Sequence, residues 1–490
     1  MTDKKREREN QTAEKAEKNS RIRELCIETV MRKTGWSRDE SLEKINDARQ
    51  RLGIKYGQYR ACRMWAVPEN EQEKVYRDFL EKRERKKKEL RLEKEAAKAR
   101  AGFRGSDVPD DGFDAAARKL LSRFEGGEDL LAGKPGDEDG WLIPYEGFSA
   151  AFGKTLFPDT EKSHKEYDEF VYRFRSHRDI ILSREFFCVC FTDWLFFCRD
   201  MGYDPDDYFD YEFYTKGRKE RESFLSAGYR EDLKKALNKD IWILADKGYF
   251  LRYFSRFVTR SWLDCNNCSK KDFKRFVREN PVFFAKENGR SGGQGIEKVV
   301  FSGISTGKLY KKYAGRDVIL EEAICQHPFM AEFNSDTVNT IRIWTLADAD
   351  DTIRIMAAAA RFGRQGGFAD NYHHGGIGAI VDKETGRMIT GAIDRSGNVY
   401  EKHPDSRKEF IGQVIPFWDR IISTVKEAAH FCMDKDRNIG WDVALTASGK
   451  VELVEGNSRP GFDIMQAQDM KGRKAEYEKY VPDLIAKMKK

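Results

Sequence analysis

From about Leu237 onward the hydrophobic positions fall into short β-branched runs broken by glycine turns. "DVILEEAI", "NTIRIWTLAD", "TIRIMAAAARF", "GGIGAIVD", "GWDVALT" and "KVELVE" read as strands. "VIPFWDRIISTVKEAAHFCMD" carries the period of an amphipathic helix. Strands, turns and a few helices interleaved in this way predict an α+β domain over 237–490. Before it the pattern is helical. Leu25, Ile27, Val30 and Met31 open a helical region over 21–101, and "SLEKINDARQRLG" stops at Gly53, where a glycine ends a periodic run. Residues 1–20 are too polar to build a core and are expected to fray. "GFRGSDVPDDG" reads as a linker, and it opens a mixed segment over 102–184 that announces no element. "LGIKYGQYRACRMW" at Leu52 is echoed without a gap by "MGYDPDDYFDYEFY" at Met201. Segment 185–236 therefore reads as a second helical hairpin resembling 45–80, either by duplication or as two similar pieces. Neither copy holds a polar constellation suited to chemistry, so both read as scaffold or docking surface.

The polar residues that interrupt this pattern carry the candidate chemistry. In "GKVELVEGNSRPG", Val451, Leu453, Glu455 and Asn457 alternate and are expected to share one strand face, apolar at first and then polar. A tight turn centred on Ser448 and Gly449 pairs this strand with "GWDVALT". In that register paired positions add to 897, which sets Asp442 opposite Glu455 with Asn457 one step further along. Two carboxylates about 5 Å apart repel unless a cation lies between them. Three hard oxygen donors favour Mg²⁺ or Mn²⁺ over zinc, with open positions for phosphate oxygens. The plain alternative is an exposed strand end, and a three-residue bulged turn would break the register.

Two further stretches add to this. In "PVFFAKENGRSGGQGI" a buried strand delivers Lys286 to a loop with Gly289, Gly292, Gly293 and Gly295, which can aim backbone N–H groups at an anion. It lacks the P-loop spacing, and glycine-rich hairpin tips are common. In "VILEEAICQHP" a strand ends in Glu321 and Glu322, followed by Ala323 and Ile324. At a pocket mouth that pattern suits a purine edge; elsewhere it is an ordinary strand end.

Composition narrows the class. The chain has 490 residues, enough for two or three domains, with 40% hydrophobic and 35% charged positions. No apolar run reaches the length needed to span a bilayer, and the N-terminus lacks the apolar core of a secretory signal, so a cytoplasmic protein is expected. Net charge is +6, too little for a bulk argument toward nucleic acid, and no nucleic-acid partner is expected. The basic run Glu81 to Arg100 reads first as a long solvated helix, with an anionic partner as the alternative. Nine scattered cysteines, including a lone "CNNC" and a lone "CVC", fit reduced thiols better than disulfides or a four-thiolate zinc site.

Phosphate cradle, purine edge and metal carboxylates occur here in the chain order of the ATP-grasp superfamily. The region from about residue 241 to the C-terminus resembles ATP-grasp carboxylate–amine ligases, most closely the sugar-transfer-associated family. The resemblance implies two α+β lobes clasping ATP, preceded by the largely helical N-terminal region. "ADKGYFLRYF" looks like the first ATP-lysine segment, which makes Lys247 a phosphate contact. "FFAKENGRSGGQGI" looks like the second lysine, Lys286, with its mobile lid. "LEEAI" looks like the hinge between the lobes, with Glu321, Glu322, Ala323 and Ile324 around adenine. "GWDVALTASGKVELVEGNSRPG" is similar to the terminal hairpin, with Asp442, Glu455 and Asn457 as Mg²⁺ ligands. "DNYHHGG" is similar to a segment of the ligase that adds glutamate to a ribosomal protein, which implies that Asn371 faces the nucleotide. That enzyme has an arginine two residues before the Asn, whereas this chain has Ala369. In the family, basic residues on central strands hold the transferred phosphate; Arg342 and Arg361 match. Arg361 is the stronger of the two, because a cation among Ala357 to Ala360 must be paired to be buried.

The implied reaction is ATP- and Mg²⁺-dependent amide formation from a small-molecule carboxylate and an amine, with no nucleophilic side chain. His373 or His374 would deprotonate the amine or else be structural. The family's setting implies an amino acid joined to a sugar or sugar acid in surface polysaccharide synthesis. Two rivals stand beside this reading: a small-molecule kinase on the same fold, and a helical adaptor with a nucleotide-sensing domain.

Overall fold

The computed structural model describes residues 19–103, 118, 120–122, 141–240, 242–289, 295–367, 370, 372 and 375–488. Gly292, Gly293, Asn371, His373 and His374, residues 1–18 of the tail and much of the linker region lie outside the described residues. Two compact units emerge, Met1–Ala96 and Ala97–Lys490.

In the first unit the helix Arg38–Leu52 begins at Ser37, whose hydroxyl accepts from the Glu40 N–H while the Glu40 side chain accepts from the Ser37 N–H. It ends at Gly53 in the left-handed conformation. Ile27, Val30, Ile45, Ala48, Tyr59 and Met64 form its core. The basic run lies on the helix Gln72–Phe103. The two echoing segments show the same succession of backbone states. Gly53 and Gly202 are left-handed, the short helices Tyr56–Ala61 and Pro205–Asp210 follow, and Arg63 and Glu212 are left-handed again. The 3₁₀ turns Met64–Ala66 and Phe213–Thr215 close each segment.

The second unit holds two antiparallel sheets. The smaller contains β1 (Trp262–Asp264), β2 (Val282–Glu287), β3 (Ile296–Val300) and β4 (Val318–Glu322), in the order β1-β4-β2-β3. Helices Lys270–Glu279 and Thr306–Tyr313 contribute Phe273, Phe276, Val277 and Leu309 to a core shared with Phe283, Ala285 and Leu320. The larger sheet contains β5 (Thr340–Ala347), β6 (Ile353–Phe362), β7 (Ile377–Val381), β8 (Met388–Ile393), β9 (Val399–Tyr400), β10 (Asn438–Leu445) and β11 (Val451–Asn457). Its order is β11-β10-β5-β6-β7-β8-β9. The hydrophobic pattern announces β2, β4 to β7, β10 and β11; β1 and β9 are too short to show a period, and β3 is mostly exposed.

The larger sheet is covered on both faces. On one, Ile341, Ile343, Ile439, Trp441, Val443 and Leu453 share a core with Trp418, Ile421, Val425 and Cys432 of the helix Trp418–Cys432. On the other, Trp344, Leu346, Met356 and Ala359 share a core with Phe209, Phe213, Leu233 and Leu237 from the helical segment. The boundary expected at Leu237 is therefore no break in packing. Asn238, just past it, ties the helices to the hairpin of β10 and β11. Its Nδ2 donates to the carbonyls of Asn438 (2.9 Å) and Ser458 (2.7 Å), and its Oδ1 accepts from the N–H groups of Arg437 and Asn438 at 3.0 and 3.1 Å.

Asn238→Ala would leave four backbone groups at the start of β10 and the end of β11 without these partners. Leaving a buried polar group unpaired costs about 1–3 kcal/mol, so urea unfolding of this variant should show a loss at least that large.

Candidate active site

The hairpin of β10 and β11 sets the site, and it does so by an unexpected route. Thr446 and Lys450 pair through the Thr446 N–H, at 2.9 Å, around a three-residue turn. Gly449 in that turn has φ +74°, and a side chain there would meet the Phe417 ring at 3.0 Å. Next to the turn Leu445 pairs with Val451 and Val443 with Leu453, positions that add to 896, one less than expected. The register then shifts between Asp442 and Val443, and Asp442 faces Glu455. The residue responsible is Val454, an extra residue in β11, hence a β-bulge. The bulge corrects the expected common face. Val451 and Leu453 point into the core beneath the helix Trp418–Cys432, while Glu455 pairs with Asp442 on the opposite side. The pairing read from the sequence is right for the carboxylates and one residue off for the apolar half.

Arg260 holds the bulge. Its guanidinium donates to the carbonyls of Leu453 (Nη1, 2.7 Å) and Val454 (Nη2, 3.1 Å). The same side chain, 7% exposed, pairs with Glu452 at 2.5 Å and with Glu321 at 2.6 Å. Lys286 Nζ reaches the same Glu321 oxygen at 2.9 Å. Burial pushes the Glu321 carboxyl up, but Arg260 and Lys286 hold it down at about 2. The Glu321 side chain, expected beside adenine, is thus committed to Arg260 and Lys286, and Glu322 accepts from the Ser261 N–H at 2.8 Å. Ala323 and Ile324 follow, half-buried. Lys247 begins the helix Lys247–Tyr253, and its N–H donates to Asn288 at 2.9 Å. Burial lowers the Lys247 ammonium, with Glu455, Lys286 and Glu321 as the charges it feels most. The structure therefore brings Lys247, Lys286, Glu321 and Glu455 into one electrostatic neighbourhood. Gly295, with φ +69°, accepts through its carbonyl from the Glu287 N–H at the start of β3.

Across the hairpin Asp442 is buried and takes two arginines. Arg342 from β5 donates through Nε (2.5 Å) and Nη2 (3.0 Å), and Arg361 from β6 approaches through Nη2 at 3.0 Å. Arg361 also donates to the Thr340 hydroxyl, whose own N–H and O–H go to Asp370. Burial would raise the Asp442 carboxyl, yet Arg342 and Arg361 hold it at about 2. Glu455 moves the other way: crowding by the surrounding protein and the negative charge of Asp442 both raise it. Since Glu455 reaches solvent, the charge repulsion is the cause that persists. Asn457 Nδ2 donates to Glu455 at 3.2 Å, leaving its carbonyl oxygen for another partner.

This donor set fits a hard divalent cation. Asp442 and Glu455 face each other, Asn457 adds a neutral oxygen, and no sulfur or imidazole intrudes among the described residues. Beside it Arg342, Arg361, Trp344 and Asn457 line a pocket of about 240 Å³, with Arg230 and Arg459 also in its wall. Reading the sequence alone misses Arg260, Glu452, Thr340, Asp370, Arg230 and Arg459. Each is a single polar residue whose partner is distant in the chain; Glu452, a charge inside the "KVELVE" run, is the one that stands out.

No curated protein matches the chain. The model of the family described as sugar-transfer associated ATP-grasp matches residues 294–479. That span includes Gly295, Glu321, Arg342, Arg361, Asp442, Glu455 and Asn457, and it leaves out Arg230, Lys247, Arg260 and Lys286. Among solved structures, the ADP complex of purK, N5-carboxyaminoimidazole ribonucleotide synthetase, is similar at 10% identity over 45% of this chain and 46% of that one, with TM-score 0.28. The ATP-grasp ligase PsnB with minimal precursor, Mg and ADP shows 14% identity over 56% and 70%, with TM-score 0.31. D-alanyl-alanine synthetase A from Vibrio cholerae O1 biovar eltor str. N16961 shows 14% over 51% and 66%, with TM-score 0.30. The chain thus spans less than half of the first and about two-thirds of the other two. The C-terminal region has the ATP-grasp fold that its motifs predict. No described helix is long and apolar enough to cross a membrane.

Arg260→Met would take the guanidinium from two buried carboxylates, leaving Glu321 with Lys286, and Glu452 with no cation among the described residues, and breaking such a buried pair costs about 3–5 kcal/mol. Glu321 is depressed in the folded state, so its contribution is present above its ordinary value of 4.5 and is lost as pH falls through about 2. Urea unfolding should therefore show the variant's deficit in full near pH 7 and a narrowing gap to the parent as pH falls from 4.5 towards 2.

Proposed function

We propose that the chain is an ATP- and Mg²⁺-dependent carboxylate–amine ligase that forms ADP. The observation that carries this reading is the Asp442–Glu455 pair, flanked by Asn457 and set among four cations, Lys247, Lys286, Arg342 and Arg361. Two carboxylates pushed apart in acidity, one held at about 2 and the other raised, are the arrangement that a divalent cation would relieve. The family match to residues 294–479 supports it.

In this reading Asp442, Glu455 and Asn457 would hold the metal. Bound there, Mg²⁺ supplies charge neutralisation for phosphate oxygens. Lys286, aimed by Glu321, and Lys247 bind the nucleotide phosphates, with Gly292, Gly293 and Gly295 offering backbone N–H groups and Ala323, Ile324 and Asn371 bordering the base. A substrate carboxylate oxygen bonds to the γ-phosphorus as the bond to ADP breaks; Arg361 and Arg342 stabilise charge on the transferring oxygens. The amine then bonds to the acyl carbon, phosphate departs, and the amine proton passes to a base, for which His374 is the candidate. The family's sugar-transfer association supports an amino acid joined to a sugar or sugar acid in polysaccharide biosynthesis, in the cytoplasm.

Hydroxylamine as trapping amine tests the reaction class. With ATP, Mg²⁺ and a panel of sugar acids and amino acids, a hydroxamate should form, and Asp442→Asn and Glu455→Gln should each cut its rate by about 100-fold or more. A stable phosphoester in place of hydroxamate would make the protein a kinase; unchanged turnover in both variants would sink the site assignment. Because protonated Glu455 is a poor ligand and its carboxyl is raised, calorimetric Mg²⁺–ADP affinity should weaken on acidification, beginning above the ordinary glutamate range.

A further inference from the structure

The pocket beside the carboxylate pair has two ends of different character. At one, Arg342 and Arg361 are both engaged with Asp442, and Asn457 joins them from β11. At the other, Arg230 from the helix Ala227–Leu237 and Arg459 from the loop after β11 converge. The walls between include Trp344, whose Nε1 is fixed by the Gly461 carbonyl at 2.8 Å. Arg230 and Arg459 come from elements more than 200 positions apart in the chain, so nothing in local sequence requires them to meet.

Two like charges brought together at the wall of a pocket are unfavourable unless an anion sits between them. Several acids stand close to the two arginines. Arg459 touches Glu231 through its Nε, Asp463 lies at the pocket wall, and Asp204 and Asp207 feel the charge of Arg230. The Arg230 Nε is sealed from solvent and has no hydrogen-bond partner among the described residues. Burial and the Arg230 charge together lower the Arg459 guanidinium, the mark of two cations in each other's field. A guanidinium fork is suited to carboxylate and phosphate oxygens, which it can bind in bidentate fashion. At about 240 Å³ the pocket is smaller than those that take drug-sized ligands, so its occupant is a small substrate.

We propose that the acyl substrate carries two anionic groups, one carboxylate at the Arg342–Arg361 end and a second carboxylate or phosphate ester held between Arg230 and Arg459. Which end reacts rests on the ligase reading above; the anion site itself does not. Arg230 comes from the helical segment, so that segment supplies specificity to the sheet it packs against.

Calorimetric titration with glycolate, malonate and phosphoglycolate, in the absence of nucleotide, tests this. Malonate and phosphoglycolate should each bind about tenfold or more tighter than glycolate, the worth of one charge-assisted contact. Whichever of the two binds more tightly identifies the second group as carboxylate or phosphate. Arg230→Gln should remove that advantage while leaving glycolate affinity in place. Arg459→Gln, on an exposed loop, gives the same reading if the first variant does not fold. Equal affinity for all three ligands, or an advantage that survives in the folded variants, would overturn the proposal. Neither ATP nor turnover enters these titrations. A failed hydroxamate assay would thus leave the anion site standing, and a failure here would leave a ligase for monoanionic acids.

Discussion

The way the smaller sheet meets the hairpin of β10 and β11 depends on one buried guanidinium. Arg260 is the only described residue to bond both Glu321 at the end of β4 and the Leu453 and Val454 carbonyls in β11, and so it locks the smaller sheet to the hairpin. A buried ion network of this kind contributes little net stability compared with a well-packed apolar replacement. Its effect is positional. A β-bulge leaves backbone carbonyls turned out of the ladder, and in a protein interior those carbonyls need donors. Arg260 supplies them, Glu321 and Glu452 balance its charge, and Lys286 is aimed through the shared Glu321 oxygen.

That arrangement explains what the sequence could and could not disclose. Short β-branched runs between turns suffice for β4 to β7, β10 and β11, because each has a face sealed in a core. Counting across the turn finds Asp442 opposite Glu455 although it misreads the turn. The three-residue turn at Ala447 to Gly449 shifts the register by one, and Val454 shifts it back. The bulge is illegible locally because its cause, Arg260, sits almost 200 positions earlier in "VTRSW", where one cation in a short segment attracts no notice. Likewise Glu321 reads as a strand-end acid open to ligand, and only the fold reveals the two cations around it. Arg361 is the opposite case: its alanine neighbours make burial evident, and burial demands the partners it finds in Asp442 and Thr340.

The two facing carboxyls illustrate how one environment sets opposite tendencies. Asp442 lies deep between β5 and β11 with two guanidiniums on its oxygens, so it stays ionised. Glu455, opposite it on β11, carries the repulsion of the pair. Groups whose acidities are driven apart in this way mark sites of charge chemistry. The cations nearby differ in the same sense. Arg361 is tightened by Asp370, Asp442 and Glu455 against the effect of burial, whereas burial weakens the hold of Lys247 on its proton.

The helical segment before the sheets is part of this machinery in a physical sense. A seven-stranded sheet with apolar residues on both faces cannot leave one face in water. The helix Trp418–Cys432 seals one side, and Phe209, Phe213, Leu233 and Leu237 help seal the other, where Trp344, Leu346 and Met356 point. Arg342, between Ile341 and Ile343 on β5, alternates to that second face, as does Asp442 between Trp441 and Val443 on β10. The candidate site residues Arg342 and Asp442 therefore lie on the face that the helices cover, and Arg230 is where those helices reach the pocket. An adaptor role in which the segment 141–237 acts apart from the sheet would require opening a core that runs through both. Removing the helices would expose that face and dismantle the pocket wall together.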